Sequence, residues 1–126
     1  MLNHVTLRIS NLEKGKEFYK AMLAPLGYKL FVEESNTAGF GIEDVEGKRD
    51  LWLREGKIAK EDQALSCLAF TATSKEMVNA FHKAGLAAGG KDNGAPGYRK
   101  QYHPKYYAAY ILDPDGYNIE AVFDEP

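Results

Sequence analysis

The sequence predicts an α+β fold made from two copies of one unit, a strand and a helix followed by three strands, on three observations. A strand-then-helix pattern recurs at a constant offset of 63 residues: LNHVTLRISNLEKGKEFYKAMLAPLG is matched by LSCLAFTATSKEMVNAFHKAGLAAGG. His4 falls opposite Cys67, Phe18 opposite Phe81, Leu23 opposite Leu86 and Gly27 opposite Gly90. Identities at a fixed period without a gap mark a duplicated supersecondary unit. Apolar residues also alternate with polar ones ahead of each helix, the period of a half-buried strand. Finally, Asp113-Pro114-Asp115-Gly116 carries Pro where a type I turn wants it and Gly two residues later, a hairpin signal.

Each element follows from its residues. In 3–9, Val5, Leu7 and Ile9 share one face and His4, Thr6 and Arg8 the other. Ser10 and Asn11 are N-cap types, Leu12, Phe18, Met22 and Leu23 form a stripe over a helix at 11–24, and Pro25 with Gly27 stops it. Tyr28–Glu33, Thr37–Ile42 and Arg49–Arg54 read as short strands, the last two separated by the Glu46-Gly47 turn. Residues 55–64 are charged and aperiodic, a connector between halves. The second copy starts at Leu65, with Leu68, Phe70 and Ala72 toward a helix and Cys67, Ala69 and Thr71 away from it. Thr73 or Ser74 caps a helix at 75–88 that ends at Gly89-Gly90. The glycines and prolines of KDNGAPGYRKQYHPK argue for an irregular stretch. Tyr106–Leu112 and Asn118–Phe123 are the closing strands, the latter with Ile119, Ala121 and Phe123 on one face and Asn118, Glu120 and Val122 on the other.

At 126 residues the chain is one domain, with modules over about 1–56 and 64–126. A single cysteine excludes an internal disulfide and fits a reducing, cytoplasmic setting. A net charge of −2 gives no global attraction to nucleic acid. No apolar run approaches the roughly 18 residues of a membrane span, and no signal-peptide pattern opens the chain. Phosphate-loop, G-x-S-x-G and paired-cysteine zinc patterns are all missing from the sequence.

The N-H-V-T-L strand, the helix ending L-x-P-L-G-Y, the second helix with A-F-x-x-A-G-x-x-A-G-G, and L-D-P-D-G-Y-N-I-E-A-V near the end together resemble the vicinal oxygen chelate superfamily. That group includes glyoxalase I, bleomycin-resistance proteins and extradiol dioxygenases. The likeness covers essentially the whole chain, and DNGAPGYRKQYHPKYYAAYILDPDGYNIEAV is its most specific part, similar to a bacterial glyoxalase-like branch. The resemblance implies paired βαβββ modules curled into a curved mixed-sheet cup with helices outside, and a divalent metal held by His and Glu of the first and last strands. His4 matches the first-strand His and Glu120 the last-strand Glu, whereas Cys67 stands where the second module commonly has His. Leu51, counted from the hairpin glycine, stands where glyoxalase I has a carboxylate.

Two imidazoles and a carboxylate suit Mn²⁺ or Fe²⁺, and Ni²⁺ shares that preference; His-Cys-Glu is softer and favours Zn²⁺ once the thiol ionises. Cys67 thus reads as a third metal ligand or as a small hydrophobe without reactivity. The insert Gly97–Tyr107 is a second candidate site. Arg99, Tyr102, His103 and Tyr106 are its expected substrate-binding residues. His103, Tyr107 and Glu120 are the expected catalytic residues, His103 or a tyrosine moving the proton or orienting the substrate, and without metal His4 and Glu120 could form an acid–base pair. The cations of the insert suit it to ligand binding, not to folding; its other reading is a solvated loop. His82 reads as a helix-surface residue. The resemblance implies a glyoxalase-like metalloenzyme, of lyase, isomerase or dioxygenase type, acting on a small oxygenated substrate. The alternative is a non-catalytic binding protein of the bleomycin-resistance type. Open sheet edges predict a homodimer.

Overall fold

The computed structural model describes residues 2–43, 48–59, 61 and 67–126. The expected Glu46-Gly47 turn, Lys60 and 62–64 of the connector, and the start of the second copy at Leu65 lie outside those residues. The strands are β1 (Val5–Ile9), β2 (Lys29–Glu33), β3 (Thr37–Gly41), β4 (Leu51–Glu55), β5 (Cys67–Thr71), β6 (Lys91–Tyr98), β7 (Tyr106–Leu112) and β8 (Asn118–Asp124). The helices are α1 (Leu12–Leu23), continued by a 3-10 turn at Ala24–Leu26, and α2 (Lys75–Ala87).

Among the described residues the strands form two four-stranded mixed sheets. Sheet A has the order β1-β4-β3-β2 and sheet B the order β5-β8-β7-β6. The duplication is visible in the pairing: β1 runs parallel to β4, β5 runs parallel to β8, and the other ladders are antiparallel. The crossover helix between parallel neighbours explains why each unit needs a helix at that point. Asn11 caps α1 by accepting the Lys14 N–H, and Ser74 caps α2 by accepting the Met77 N–H. Gly27 turns the chain out of the 3-10 segment at φ 88°, a left-handed conformation that glycine adopts without a Cβ penalty.

The helices pack on one face of each sheet and on one another. Leu7, Ile9, Leu51 and Leu53 of sheet A and Ala109, Ile111, Ile119 and Ala121 of sheet B join Phe18, Met22, Val78 and Phe81 of the helices in one cluster. Polar contacts tie the first unit to the β7–β8 turn. Tyr19 Oη donates to Asp113, Tyr117 Oη donates to the Arg8 carbonyl at 2.7 Å, and Asp115 accepts from Ser10 N and Oγ. Burial pushes the Asp113 carboxyl above the usual carboxylate range, against the pull of its hydrogen bonds.

One expected loop is a strand. Residues 91–98 pair with β7 as the edge of sheet B despite Gly94, Pro96 and Gly97. The pairing shifts between Asp92 and Gly94 and again between Gly94 and Gly97, so these residues occupy bulges. An edge strand also needs ladder partners on one side only, which tolerates a proline without an N–H.

Candidate functional site

The helices leave the opposite face of each sheet open. On sheet B the pleat decides what that face carries, because residues directly opposite in a ladder point the same way. Tyr110 pairs with Glu120, Ala69 pairs with Glu120 across β5, Cys67 pairs with Asn118, and Gly94 pairs with Tyr110. Ile111, Ile119 and Ala121 lie in the core, so Tyr110, Asn118 and Glu120 face away from it.

Glu120 is the centre of this face. Its Oε1 accepts the Cys67 thiol at 3.1 Å and the Asn118 amide at 3.0 Å, while Asn118 Oδ1 accepts from Asn93 at 3.1 Å. Both donors converge on one oxygen, which leaves Oε2 for an incoming group. Burial first, and Glu120 second, push the Cys67 thiol above its ordinary value, so it remains a protonated donor. Beside them the Arg99 guanidinium lies 4.9 Å from the centroid of the Tyr110 ring, and its Nη2 donates to the Ala95 carbonyl at 2.7 Å. Burial and the Glu120 charge raise the phenol of Tyr110, and Arg99 opposes them. Tyr106 is raised by the same two causes in the same order, and its ring lies 5.4 Å from that of Tyr102. The face therefore offers a carboxylate oxygen, a half-buried guanidinium and a row of phenols.

The predicted residues are distributed as follows. Cys67 and Glu120 meet. Arg99, Tyr102 and Tyr106 line the same face or its edge, closed by the turn in which Arg99 N donates to the Tyr106 carbonyl at 2.7 Å. His103 sits in that turn with Nδ1 accepting the Lys105 N–H at 3.1 Å, and makes no hydrogen bond or ion pair to Glu120 or Cys67. Tyr107 is on the wrong side for catalysis with Glu120. It pairs with Phe123, and its hydroxyl donates to Asn79 of α2 at 2.7 Å. Adjacent strand residues point to opposite faces, so Tyr106 and Tyr107 cannot both serve one site.

His4 is exposed just before β1, hydrogen-bonded to Asn3, in a cleft of about 300 Å³ shared with Ala69 and Thr71. Cys67 lines a separate cleft with Val5 and Leu7. Leu51 is buried under α1, and Trp52 is its open-face neighbour. His82 is buried, not on the surface, and its Nε2 lies 2.9 Å from Asp92 Oδ1.

A family model described as the Glyoxalase/Bleomycin resistance protein/Dioxygenase superfamily matches residues 1–121. The chain belongs to that superfamily. A glyoxalase/bleomycin resistance protein from Albidiferax ferrireducens is 33% identical over 98% of both chains, with a TM-score of 0.83. A glyoxalase/bleomycin resistance protein/dioxygenase family enzyme from Burkholderia phytofirmans shares the fold at 19% identity over 98% of both chains, TM-score 0.70. So does the fosfomycin resistance protein FosX of Listeria monocytogenes, at 20% identity, TM-score 0.69, over 96% of this chain and 87% of that one. The FosX structure holds Mn(II) and 1S,2S-dihydroxypropylphosphonic acid.

Glyoxalase-superfamily members typically bind divalent metals, so the donors must be tested against one. Among the described residues no three His, Cys, Asp or Glu side chains gather closely enough to hold an ion. The open face supplies two, Cys67 and Glu120, and burial together with Glu120 favours the protonated form of the thiol. Among the described residues, the donor set of one chain does not fit a divalent metal.

Proposed function

We propose that this glyoxalase-superfamily chain is an enzyme that binds a small, anionic, oxygenated molecule on the open face of sheet B and moves a proton on it. The observation that carries this reading is the state of Glu120: Oε1 is held by Cys67 and Asn118, Oε2 takes no hydrogen bond among the described residues, and Tyr110 is its ladder partner on the same face. A carboxylate oriented by two donors at one oxygen is a proton acceptor at the other. Arg99 pairs with negative charge that develops on a substrate oxygen, and Tyr102 and Tyr106 flank the bound molecule. The single domain, with modules over about 1–56 and 64–126, and a cytoplasmic location belong to the same reading, the latter inferred from the lone cysteine. Among the described residues no helix is long and apolar enough to cross a membrane.

The test is solvent-deuterium exchange, followed by NMR, into a panel of 2-oxo and 2-hydroxy carboxylates. Exchange in the wild type that disappears in Glu120→Gln while binding survives supports the reading. Binding without exchange in either protein leaves the alternative of a non-catalytic binding protein, which the tyrosine row favours.

A second reading keeps a Zn, Ni, Mn or Fe ion bound through His4, Cys67 and Glu120, with His4 brought by the second copy of a homodimer. The 3.1 Å contact of Cys67 with Glu120 and the exposure of His4 favour it. Metal analysis of protein purified without chelators, compared with His4→Ala and Glu120→Ala, tests it: occupancy unchanged in both variants refutes the site.

A further inference from the structure

Among the described residues, Asp113 and His82 are the buried polar or charged side chains, the tyrosines apart. Asp113 is accounted for by the β7–β8 turn, where it accepts from Tyr19 Oη and from the amides of Asp115 and Tyr117. His82 serves no turn or cap. It lies on the buried side of α2 and reaches the edge strand β6, where Nε2 stands 2.9 Å from Asp92 Oδ1. The same Oδ1 accepts the Gly94 N–H at 2.9 Å. These two bonds, that of His82 first, hold Asp92 below the usual carboxylate range, so Asp92 is ionised and the imidazole is the donor. A need for packing alone would be met by an apolar side chain, without the cost of burying a polar ring.

The pair meets β6 at a bulge. Asp92 is opposite Ile111 and Gly94 is opposite Tyr110, so Asn93 is an extra residue between two consecutive positions of β7. Asp92 therefore turns to the helices, while Asn93 and Gly94 turn to the open face. There Asn93 Nδ2 donates to Asn118 Oδ1 at 3.1 Å, and Asn118 donates to Glu120 Oε1 at 3.0 Å. The residues that follow cradle Arg99. Its Nη2 donates to the Ala95 carbonyl at 2.7 Å and stands 3.2 Å from the place of a Cβ on Gly94. Its Nη1 stands 3.1 Å from the place of a Cβ on Gly97. One short segment thus holds the guanidinium and the far end of the hydrogen-bond chain to the carboxylate. Being the edge of sheet B, it has a ladder on one side only, and the tie to α2 supplies a hold from the other direction.

We propose that His82 is a positioning residue for the Glu120 site: by holding Asp92 it fixes the bulge that sets Arg99 over Tyr110 and Asn93 against Asn118. The proposal rests on the reading of the open face of sheet B as the functional site. His82 acts from the opposite side of that sheet and touches no ligand itself.

The full chain is tested as wild type, as His82→Leu, which fills the space without a donor, and as His82→Gln, whose terminal amide reaches as far as Nε2. Asp92 is exposed, so Asp92→Ala breaks the same bond without opening the core and keeps the test decisive if His82→Leu does not fold. The first readout needs no ligand: the Tyr110 ring displaces the NMR signal of the Arg99 Nε–H from that of a solvated arginine. His82→Leu and Asp92→Ala should lose most of that displacement, and His82→Gln should keep it. The second readout is titration with pyruvate. Affinity should fall about tenfold in His82→Leu, as for one weakened charge-assisted hydrogen bond, and recover in His82→Gln. A wild-type Arg99 signal in folded His82→Leu or Asp92→Ala overturns the proposal. So does a signal lost equally in His82→Leu and His82→Gln, which assigns His82 to packing alone. A wild type that binds no pyruvate counts against the reading of the Glu120 face, while the Arg99 signal still decides the role of His82.

Discussion

Replacing Arg99 by Ala separates a tethered guanidinium from a solvated loop charge. In the structure Arg99 is half-buried, donates to the Ala95 carbonyl at 2.7 Å and lies 4.9 Å from the centroid of Tyr110. The hydrogen bond contributes about 0.5–1.5 kcal/mol and the cation–π contact about 0.5–1 kcal/mol, so the loss totals roughly 1–2.5 kcal/mol. For 126 residues, an unfolding entropy of about 2.1 cal/mol/K per residue converts each kcal/mol to about 4 °C, so the midpoint should fall by roughly 4–10 °C. This exceeds the expectation from sequence, where cations of an irregular insert leave folding untouched. Arg99 also opposes the rise of the Tyr110 phenol, so Arg99→Ala should move one tyrosine titration to higher pH. Scanning calorimetry and ultraviolet pH titration measure the two effects. For an anionic ligand of the Glu120 site, affinity should fall about ten- to a hundredfold. A midpoint within about 2 °C of wild type, with unmoved tyrosine titration, would mean that the guanidinium sits in water and does not belong to the site.

Three further perturbations probe other parts of the design. Gly94→Ala places a Cβ into the Tyr110 ring and 3.2 Å from Arg99 Nη2, so it should weaken ligand binding as Arg99→Ala does; titration calorimetry with unchanged affinity would refute the packing. Cys67→His adds an imidazole beside Glu120 on an exposed position, and calorimetry should show tighter Mn²⁺, Fe²⁺ or Ni²⁺ binding with little loss of stability. Tyr19→Phe removes a donor to the buried Asp113 carboxylate and should cost about 1.5–3 kcal/mol at neutral pH. The folded pKa of Asp113 is raised, so its favourable protonated form is fully present below an unfolded value of about 3.9 and is lost as pH rises through the folded value. The penalty of Tyr19→Phe should therefore shrink toward about 1 kcal/mol near pH 3.5, where the bond joins neutral groups; urea unfolding with equal penalties at both pH values contradicts it.

Much of the fold is legible from local signals because those signals act locally. The 63-residue offset places β1 and β5 in equivalent roles, and the side chains of Asn11 and Ser74 start both helices where cap chemistry requires. Strand β6 fails that test for a physical reason. Its glycines and proline are turn residues by propensity, yet at a bulged edge they cost few ladder bonds, and Gly94 makes room for Tyr110 and Arg99. Tertiary packing decides there, and composition points the other way.

The candidate site shows where a resemblance helps and where geometry must take over. Motif matching finds Glu120 and Cys67 because their positions on the first and last strands survive in any copy of the unit. It assigns no role to Tyr110, Asn118 and Asn93, which hold or flank the carboxylate. The hairpin at Asp113–Gly116 contains the missing information. Once Leu112 faces Asn118 across that turn, Tyr110 must face Glu120 and Tyr107 must face Phe123, whatever chemistry a tyrosine suggests. A one-residue slip would exchange the two faces, so the turn that ends β7 selects which tyrosines meet the carboxylate. The same parity sets Trp52 and Arg54 on the open face of sheet A and buries Leu51. Two faces with different chemistry, a carboxylate among phenols on one and an indole on the other, thus follow from one duplicated pleat.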